Sequence, residues 1–185
     1  MIDEAAGVWY NRGGRGASHG GGGGGASVRQ ILAPGSAAYN KGVASGLSQV
    51  LAHGKSTGNE MLVHIDTRTG AKATADLTGG KDYVRFTPSV RQSLWNAPNA
   101  SISSIHNHPS SSSFSAEDLS IACFYKSIES MRVIGHDGTQ YCVRVGNGQR
   151  PNLRSIRSYY TRTSKKIATK YATSGLSGKM GKDQA

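Results

Sequence analysis

Apolar residues recur along the middle of the chain with two different periods. Between residues 39 and 51 the spacing is that of one face of a helix, and Gly54 follows as the predicted C-terminal stop. The apolar positions of this helix are Tyr39, Val43, Leu47, Val50 and Leu51. From Glu60 to Asp66 apolar and polar residues alternate instead, which predicts a strand with Glu60 at its N-terminal edge.

The pattern then continues with shorter elements. An extended stretch is predicted at 83–86, and Pro88 opens a short helix after it. Residues 101–105 form the next predicted strand. Further on, residues 131–135 and 140–145 flank an Asp-Gly pair, which is a turn signal and predicts a hairpin.

Two more helices are predicted. The first begins after Ser115, its N-cap, and its apolar run reaches Ile128. The second is a basic amphipathic helix with apolar positions from Leu153 to Tyr171, and it packs either on the core or on a partner. Together the elements predict an α/β fold with a mixed, largely antiparallel sheet flanked by helices, and a functional site at one strand end.

Composition divides the chain into three parts. Residues 1–27 are predicted to be a flexible Gly-rich linker, because the unbroken run from Gly20 to Gly25 loses too much backbone entropy to fold by itself. Such a hinge suggests that the chain is part of a larger polypeptide. Residues 28–149 hold the predicted folded domain, and residues 150–185 form a basic helical tail.

Positive charge is concentrated in the tail. Residues 150–185 hold nine basic residues and one acidic residue, a formal charge of +8 out of +11 for the whole chain. A tail of this kind binds a polyanion or an acidic partner, or keeps the protein soluble. No apolar run is long enough to suggest a membrane span. Cys123 and Cys142 lack the paired spacing of a zinc site and are expected to be buried free thiols of a reducing compartment.

The stretch His106-Asn107-His108-Pro109 carries the clearest chemical signal. Alternate residues of an extended segment project to one side, so both imidazoles can reach one ion while Asn107 points away. With Asp118 as the third ligand, two nitrogens and one oxygen leave a fourth tetrahedral position open for water, as in catalytic zinc sites. We therefore predict that His106, His108 and Asp118 bind one zinc ion.

Hydrolysis by a metal-bound water also needs a base, and it benefits from a donor to the oxyanion. We predict that Glu60 is the base and that Ser115 is the donor. Two alternatives stay open: Ser115 and Asp118 match a helix capping box that needs no metal, and two His with one carboxylate also describe the facial triad of non-haem iron enzymes. A zinc deaminase is disfavoured because the Pro-Cys-x-x-Cys half of its signature is missing.

Glu60 before an apolar strand, then His-x-His-Pro, then Ser-x-x-Asp together resemble the motif of the JAMM (JAB/MPN) zinc metallopeptidases. The resemblance covers residues from about 36 to 146. In that family a Glu is the general base, two His and an Asp bind zinc, and a Ser assists the oxyanion. The resemblance implies these roles, in that order, for Glu60, His106, His108, Asp118 and Ser115. The loop from His108 to Ser115 is a residue shorter than in eukaryotic deubiquitinating members, so compact prokaryotic and phage members are more similar.

The resemblance implies a zinc-dependent hydrolase that cleaves a peptide or isopeptide bond in a protein substrate, with one zinc ion per chain and cytidine-deaminase-like layering. Prokaryotic relatives occur in phage assembly proteins, toxin cassettes and a DNA-repair-associated branch. The expected location is therefore cytoplasmic, or a target cell if the chain belongs to a toxin. The alternative function is a nucleic-acid or assembly-binding module that uses the basic tail, with a vestigial metal pocket.

Overall fold

The computed structural model describes residues 35–146 and 148–173 and confirms the α/β fold class. Its elements, in chain order, are α1 (Ala37–Thr57), β1 (Met61–Asp66), β2 (Leu77–Thr78), α2 (Pro88–Asn96), β3 (Ile102–His108), α3 (Ala116–Phe124), β4 (Ile128–Gly135), β5 (Gln140–Arg144) and α4 (Leu153–Thr173). The strands form one sheet in the order β2-β1-β3-β4-β5. β3 and β4 are parallel, and the other neighbours are antiparallel. The predicted linker 1–27 and the end of the tail, 174–185, lie outside the described residues.

The sheet is covered on both faces. α1 packs on one face, over a core that includes Val63 of β1 and Ile105 of β3. The other face holds a larger core, in which Leu62 and Ile102 contact side chains of α2 and α3. β1 and β3 are therefore buried along nearly their whole length, on both sides. This burial is why the polar residues of these strands, the histidines included, lie in the interior.

The prediction that Gly54 ends the first helix is wrong. α1 runs on to Thr57 and ends at Gly58, whose left-handed conformation (φ 72°) suits glycine. Gly54 is buried inside the helix, where a Cβ atom would overlap the side chains of Asn107 and His136. Glycine is needed there for the close approach of α1 to β3, and local spacing does not reveal that need.

Residues 83–86 do not form a strand, contrary to the sequence prediction. The strand that pairs with the outer edge of β1, opposite β3, is instead β2. This pairing ends where the backbone N–H of Glu60 donates to Gly80 O at 2.8 Å. Val84 and Phe86, the apolar residues that suggested a strand, pack against the larger core without pairing as a strand. The alternation of apolar residues at 83–86 therefore reflects the packing of Val84 and Phe86 on the core and not hydrogen bonding within a sheet.

Other boundaries agree with the sequence or differ by a few residues. α2 begins at Pro88, and β4 and β5 form a hairpin, both as predicted. β3 extends through His108, so both histidines lie on the strand itself, as the alternation of the His106-Asn107-His108 segment predicted. α3 ends at Phe124, and Ile128 begins β4 instead of continuing the helix, because its side chain belongs to the sheet core.

α4 is attached to the domain at its N-terminal end. Arg150, just before the helix, donates to the backbone oxygens of Ala122, Tyr125, Lys126 and Ile128 at 2.6–3.3 Å. Ile156 is buried, but Leu153, Tyr160 and Ile167 are 44%, 36% and 45% exposed. Packing on the core therefore involves the first turns of α4. Within the described ranges, no helix combines the length and apolar character needed to cross a bilayer.

Both cysteines are free thiols, as expected. Cys123 and Cys142 are half-buried rather than fully buried, and burial raises the pKa of each thiol. A raised pKa keeps the sulfur protonated and weakly nucleophilic near neutral pH.

Candidate metal centre

β3 carries both histidines of the predicted site. His106 and His108 are alternate residues of this strand, so their rings project from the same face of the sheet, with centroids 4.8 Å apart. Their Nε2 atoms are 3.0 Å apart, and both residues are buried. The strand therefore presents two imidazole nitrogens to a single point.

Asp118 completes the group from the first turn of α3. Because α3 connects the parallel strands β3 and β4, its N-terminus lies just beyond the C-terminal end of β3. Asp118 Oδ1 is 3.3 Å from His106 Nε2, and Asp118 Oδ2 is 3.5 Å from His108 Nε2. One ligand atom from each of these residues lies within 4.8 Å of the others.

These atoms fit a divalent metal ion. A tetrahedral zinc ion with bonds of about 2.0–2.1 Å has ligand atoms roughly 3.3 Å apart. The two Nε2 atoms are 3.0 Å apart and Asp118 Oδ1 is 3.3 Å from His106 Nε2, while one ligand atom from each of the three residues lies within 4.8 Å of the others. His108 Nδ1 donates to Ser112 O at 3.1 Å, which leaves the lone pair of Nε2 available for a metal. His106 Nδ1 is buried without a hydrogen-bond partner in the described part of the chain. Two nitrogens and one oxygen suit zinc and other divalent transition metals.

Ser115 and Asp118 also form the capping box that was the alternative interpretation of this motif. Ser115 Oγ accepts from the backbone N–H of Asp118 at 3.1 Å, and Asp118 Oδ2 accepts from the backbone N–H and the hydroxyl of Ser115, each at 2.7 Å. The cap uses Oδ2, so Oδ1 remains directed at His106. The two interpretations are compatible, because the cap fixes the orientation of the carboxylate that faces the histidines.

Glu60 lies beside this group, immediately before β1. The antiparallel register pairs Leu62 with His106, which brings Glu60 toward His108, and Glu60 Oε1 is 3.9 Å from His108 Nε2. Burial raises the pKa of Glu60 to about 7; the charge of His108 opposes the rise, and those of Asp118 and Asp82 add to it. A carboxyl group that titrates near neutral pH can both accept and return a proton.

His108 and Asp118 stabilise one another's charged forms. Burial by itself raises the pKa of Asp118, but the charges and hydrogen bonds of His106 and His108 outweigh it and hold the pKa well below its usual range. For His108, burial by itself lowers the pKa. The hydrogen bond and charge of Asp118, together with the charge of Glu60, outweigh this effect, so the pKa of His108 is raised. With two carboxyl groups facing two imidazoles, the site favours a bound cation.

Asn107 lies between the two histidines, and its side chain points to the opposite face of the sheet. There Oδ1 accepts from the backbone N–H of Met61 at 2.8 Å, and Nδ2 donates to Asn59 O at 3.0 Å. These bonds hold the backbone on both sides of Glu60. No local sequence pattern identifies this role, because the partners are 46 and 48 residues away along the chain.

Two further titratable residues near the site come from distant elements. His64 of β1 is fully buried, and its Nδ1 lies 2.9 Å from Thr74 Oγ1. Burial lowers the pKa of His64 to about 3, and the charge of His106 adds to this effect. Tyr160 of α4 is close enough to Asp118 to be influenced by its charge: burial raises the pKa of Tyr160, and the carboxylate raises it further. Sequence spacing placed Tyr160 on an apolar helix face and did not connect it with the site.

The structure brings together all the residues predicted for the site: Glu60, His106, His108, Ser115 and Asp118. In comparisons with known proteins, no family model, no curated protein and no solved structure matches the chain. The assignment of a candidate metal centre therefore rests on the geometry of these residues. It is a largely buried His-His-Asp group able to hold a metal ion, with a carboxyl group of raised pKa beside it.

Proposed function

We propose that this protein is a zinc-dependent hydrolase that cleaves a peptide or isopeptide bond by a JAMM-type mechanism. The observation that carries the proposal is the convergence of His106, His108 and Asp118 with Glu60 Oε1 3.9 Å from His108 Nε2. A His-His-Asp group alone also suits a structural or redox metal. A buried carboxyl group beside it, with a pKa near neutrality, is what hydrolysis requires in addition.

Three side chains would hold the ion. His106 and His108 would bind through Nε2, and Asp118 would bind through Oδ1, because its Oδ2 accepts two hydrogen bonds from Ser115. Such a set leaves a coordination position for water. When bound, zinc lowers the pKa of its water toward neutrality and polarises a substrate carbonyl.

Glu60 supplies proton transfer. Its carboxylate accepts a proton from the attacking water and then donates it to the nitrogen of the leaving amine, which departs only as a neutral amine. Burial supports both steps, because it brings the pKa of the carboxyl group to about 7. Asn107 keeps Glu60 in place by binding the backbone of Asn59 and Met61.

Ser115 is proposed to donate its hydroxyl proton to the oxyanion. In this structure the hydroxyl donates to Asp118 Oδ2 at 2.7 Å, so rotation about one bond is needed to redirect it. A preorganised donor to a developing oxyanion contributes roughly 3–4 kcal/mol to catalysis in other hydrolases. The assignment of the scissile bond as a peptide or isopeptide bond follows from the motif resemblance and from the leaving amine that Glu60 is suited to protonate.

Elemental analysis combined with a cleavage assay tests the proposal. Purified wild-type protein is expected to contain one zinc ion per chain and to cleave members of an internally quenched peptide library or a fluorogenic Gly-Lys isopeptide library. Glu60→Gln should keep the zinc and lose cleavage. His108→Ala should lose the zinc as well.

Glu117→Gln is the matched control, since Glu117 neighbours Asp118 on α3 but its side chain binds Arg157 at 2.8 Å. This variant should keep both zinc and cleavage. Absence of stoichiometric zinc from the wild-type protein would overturn the proposal, as would cleavage by Glu60→Gln at the wild-type rate.

A further inference from the structure

The second half of α4 stands away from the domain. Every residue from 161 to 170 is exposed except Thr163, which is partly exposed. The first half is fixed by the buried Ile156 and by Arg150, whose guanidinium binds four backbone oxygens of the α3–β4 segment. α4 is therefore a helix anchored at its first turns, with residues 161–170 exposed to solvent.

The projecting half carries positive charge without acidic residues. α4 contains no Asp or Glu, and its exposed cations include Arg162, Lys165, Lys166 and Lys170. Lys165 and Lys166 pair with no carboxylate within the described ranges. The charges of Lys165 and Lys166 are therefore not neutralised by a carboxylate in the part of the chain that the structure describes.

Basic and hydroxyl side chains share one face of the helix. Ser158, Thr161 and Thr169 line the same surface as the cations. At 1.5 Å per residue, the stretch from Arg157 to Lys170 is about 20 Å long. Guanidinium, ammonium and hydroxyl groups are the side chains that bind phosphate oxygens in nucleic-acid complexes.

We propose that the projecting half of α4 is a nucleic-acid-binding arm that contacts the phosphate backbone of a duplex. A duplex carries one negative charge per roughly 1.7 Å of its axis, so a row of closely spaced cations can contact several of its phosphates at once. A helix of this diameter also fits the major groove. Binding of this kind is independent of sequence, and it does not depend on the metal centre.

The position of the apolar residues favours a duplex over a membrane surface. A helix that lies on a membrane inserts an apolar face and keeps its cations at the boundary of that face. In α4, Lys165 follows Ile156 by about two and a half turns and so lies on the opposite side of the helix. Ile156 is buried in the domain. The projecting residues 161–170 hold Ile167 and Ala168 as apolar side chains against four cations, so most of the surface that meets a partner is polar.

Fluorescence anisotropy with a labelled 20-base-pair duplex tests the inference on the full chain. We expect binding that weakens on the order of 100-fold between 50 and 200 mM salt, because about four cations displace counterions. Lys165→Glu together with Lys166→Glu should weaken binding at least about tenfold and should reduce the salt slope by roughly 2. Glutamate is a good helix former, so far-UV circular dichroism should be unchanged.

Lys41→Glu together with Lys55→Glu is the matched control. Both lysines are exposed on α1, which covers the other face of the sheet, and the change in net charge is the same. The control should bind within about threefold of wild type. An equal loss in the control, or no binding at 50 mM salt, would overturn the inference. Tighter binding to anionic phosphatidylglycerol vesicles or to polyglutamate than to the duplex would assign the arm to a membrane or to an acidic protein instead.

Discussion

Asp118 uses its two oxygens for different purposes. Oδ2 caps α3 through Ser115, and Oδ1 faces His106. Neither purpose excludes the other, because the cap occupies Oδ2 and leaves Oδ1 directed at the histidine. At the scale of the residue, the Ser-x-x-Asp pattern is fully explained by helix capping and yet also positions a candidate metal ligand.

Replacing Ser115 separates its helix-capping role from its proposed catalytic role. Ser115→Ala should lower the free energy of unfolding by about 1 kcal/mol, whereas Ser115→Gly should lower it by only a few tenths, because glycine is tolerated at an N-cap. Both variants lack the hydroxyl, so both should lower kcat by roughly 10²–10³-fold. Chemical denaturation, zinc content and kcat would be measured together. Near-normal turnover by Ser115→Gly would show that the hydroxyl serves only the cap.

At the scale of the elements, the site is a junction of three segments. β3 supplies the histidines, α3 supplies Asp118, and the residue before β1 supplies Glu60. Asn107 reinforces the connection between β1 and β3 on the face of the sheet opposite the candidate metal site, because its side chain binds the backbone on both sides of Glu60. Gly54 of α1 allows this contact, since a larger residue would overlap the Asn107 amide.

Breaking the link between β3 and β1 should affect Glu60 without removing the metal. Asn107→Ala leaves the Met61 N–H without its acceptor, so the free energy of unfolding should fall by about 1–3 kcal/mol. We expect kcat to fall roughly 10–100-fold while zinc content stays at the wild-type level. Asn59→Ala is the control, because Asn107 binds the main-chain oxygen of Asn59 rather than its side chain. Loss of zinc from Asn107→Ala would show that the link holds the ligands rather than the base.

At the scale of the whole molecule, a sheet covered on both faces places ionisable residues in the interior. His64 is the clearest case outside the ligand set, with no exposed surface and a pKa lowered to about 3 by burial and by the charge of His106. Its Nδ1 contacts Thr74 Oγ1, and its Nε2 has no hydrogen-bond partner among the described residues. The folded protein therefore keeps this ring neutral.

This neutral ring makes stability depend on pH. The unfolded chain protonates His64 below its usual pKa of about 6.5, while the folded protein stays neutral until about pH 3. The contribution of His64 is present above pH 6.5 and is lost as the pH falls from there toward 3, by up to about 1.4 kcal/mol per pH unit. Urea denaturation of zinc-free protein between pH 7.5 and 5 should give a shallower dependence for His64→Gln than for wild type. Parallel curves would contradict the expected protonation difference.

Sequence patterns predicted the elements that local chemistry specifies. Ser115 as an N-cap and Pro88 at a helix start were confirmed, because capping and proline geometry act within a few residues. The β4–β5 hairpin follows equally from its Asp-Gly turn. The errors lie where contacts with distant residues determine the local structure. Residues 83–86 pack on the core without forming a strand. Gly54 lies inside α1, where its lack of a side chain allows the contact with β3.

The sequence alone determined which chemical groups are available and at what local spacing. His106 and His108 share a strand face because side chains alternate along a strand. The carboxylate of Asp118 is held at the N-terminus of α3 because it forms a capping box with Ser115. Only the tertiary structure decided that these groups meet. The α3 crossover between parallel strands brings Asp118 to the histidines, and the β1–β3 register brings Glu60 to the same point. Burial, which exists only in the folded protein, then moves the pKa of Glu60 to about 7, where it suits proton transfer.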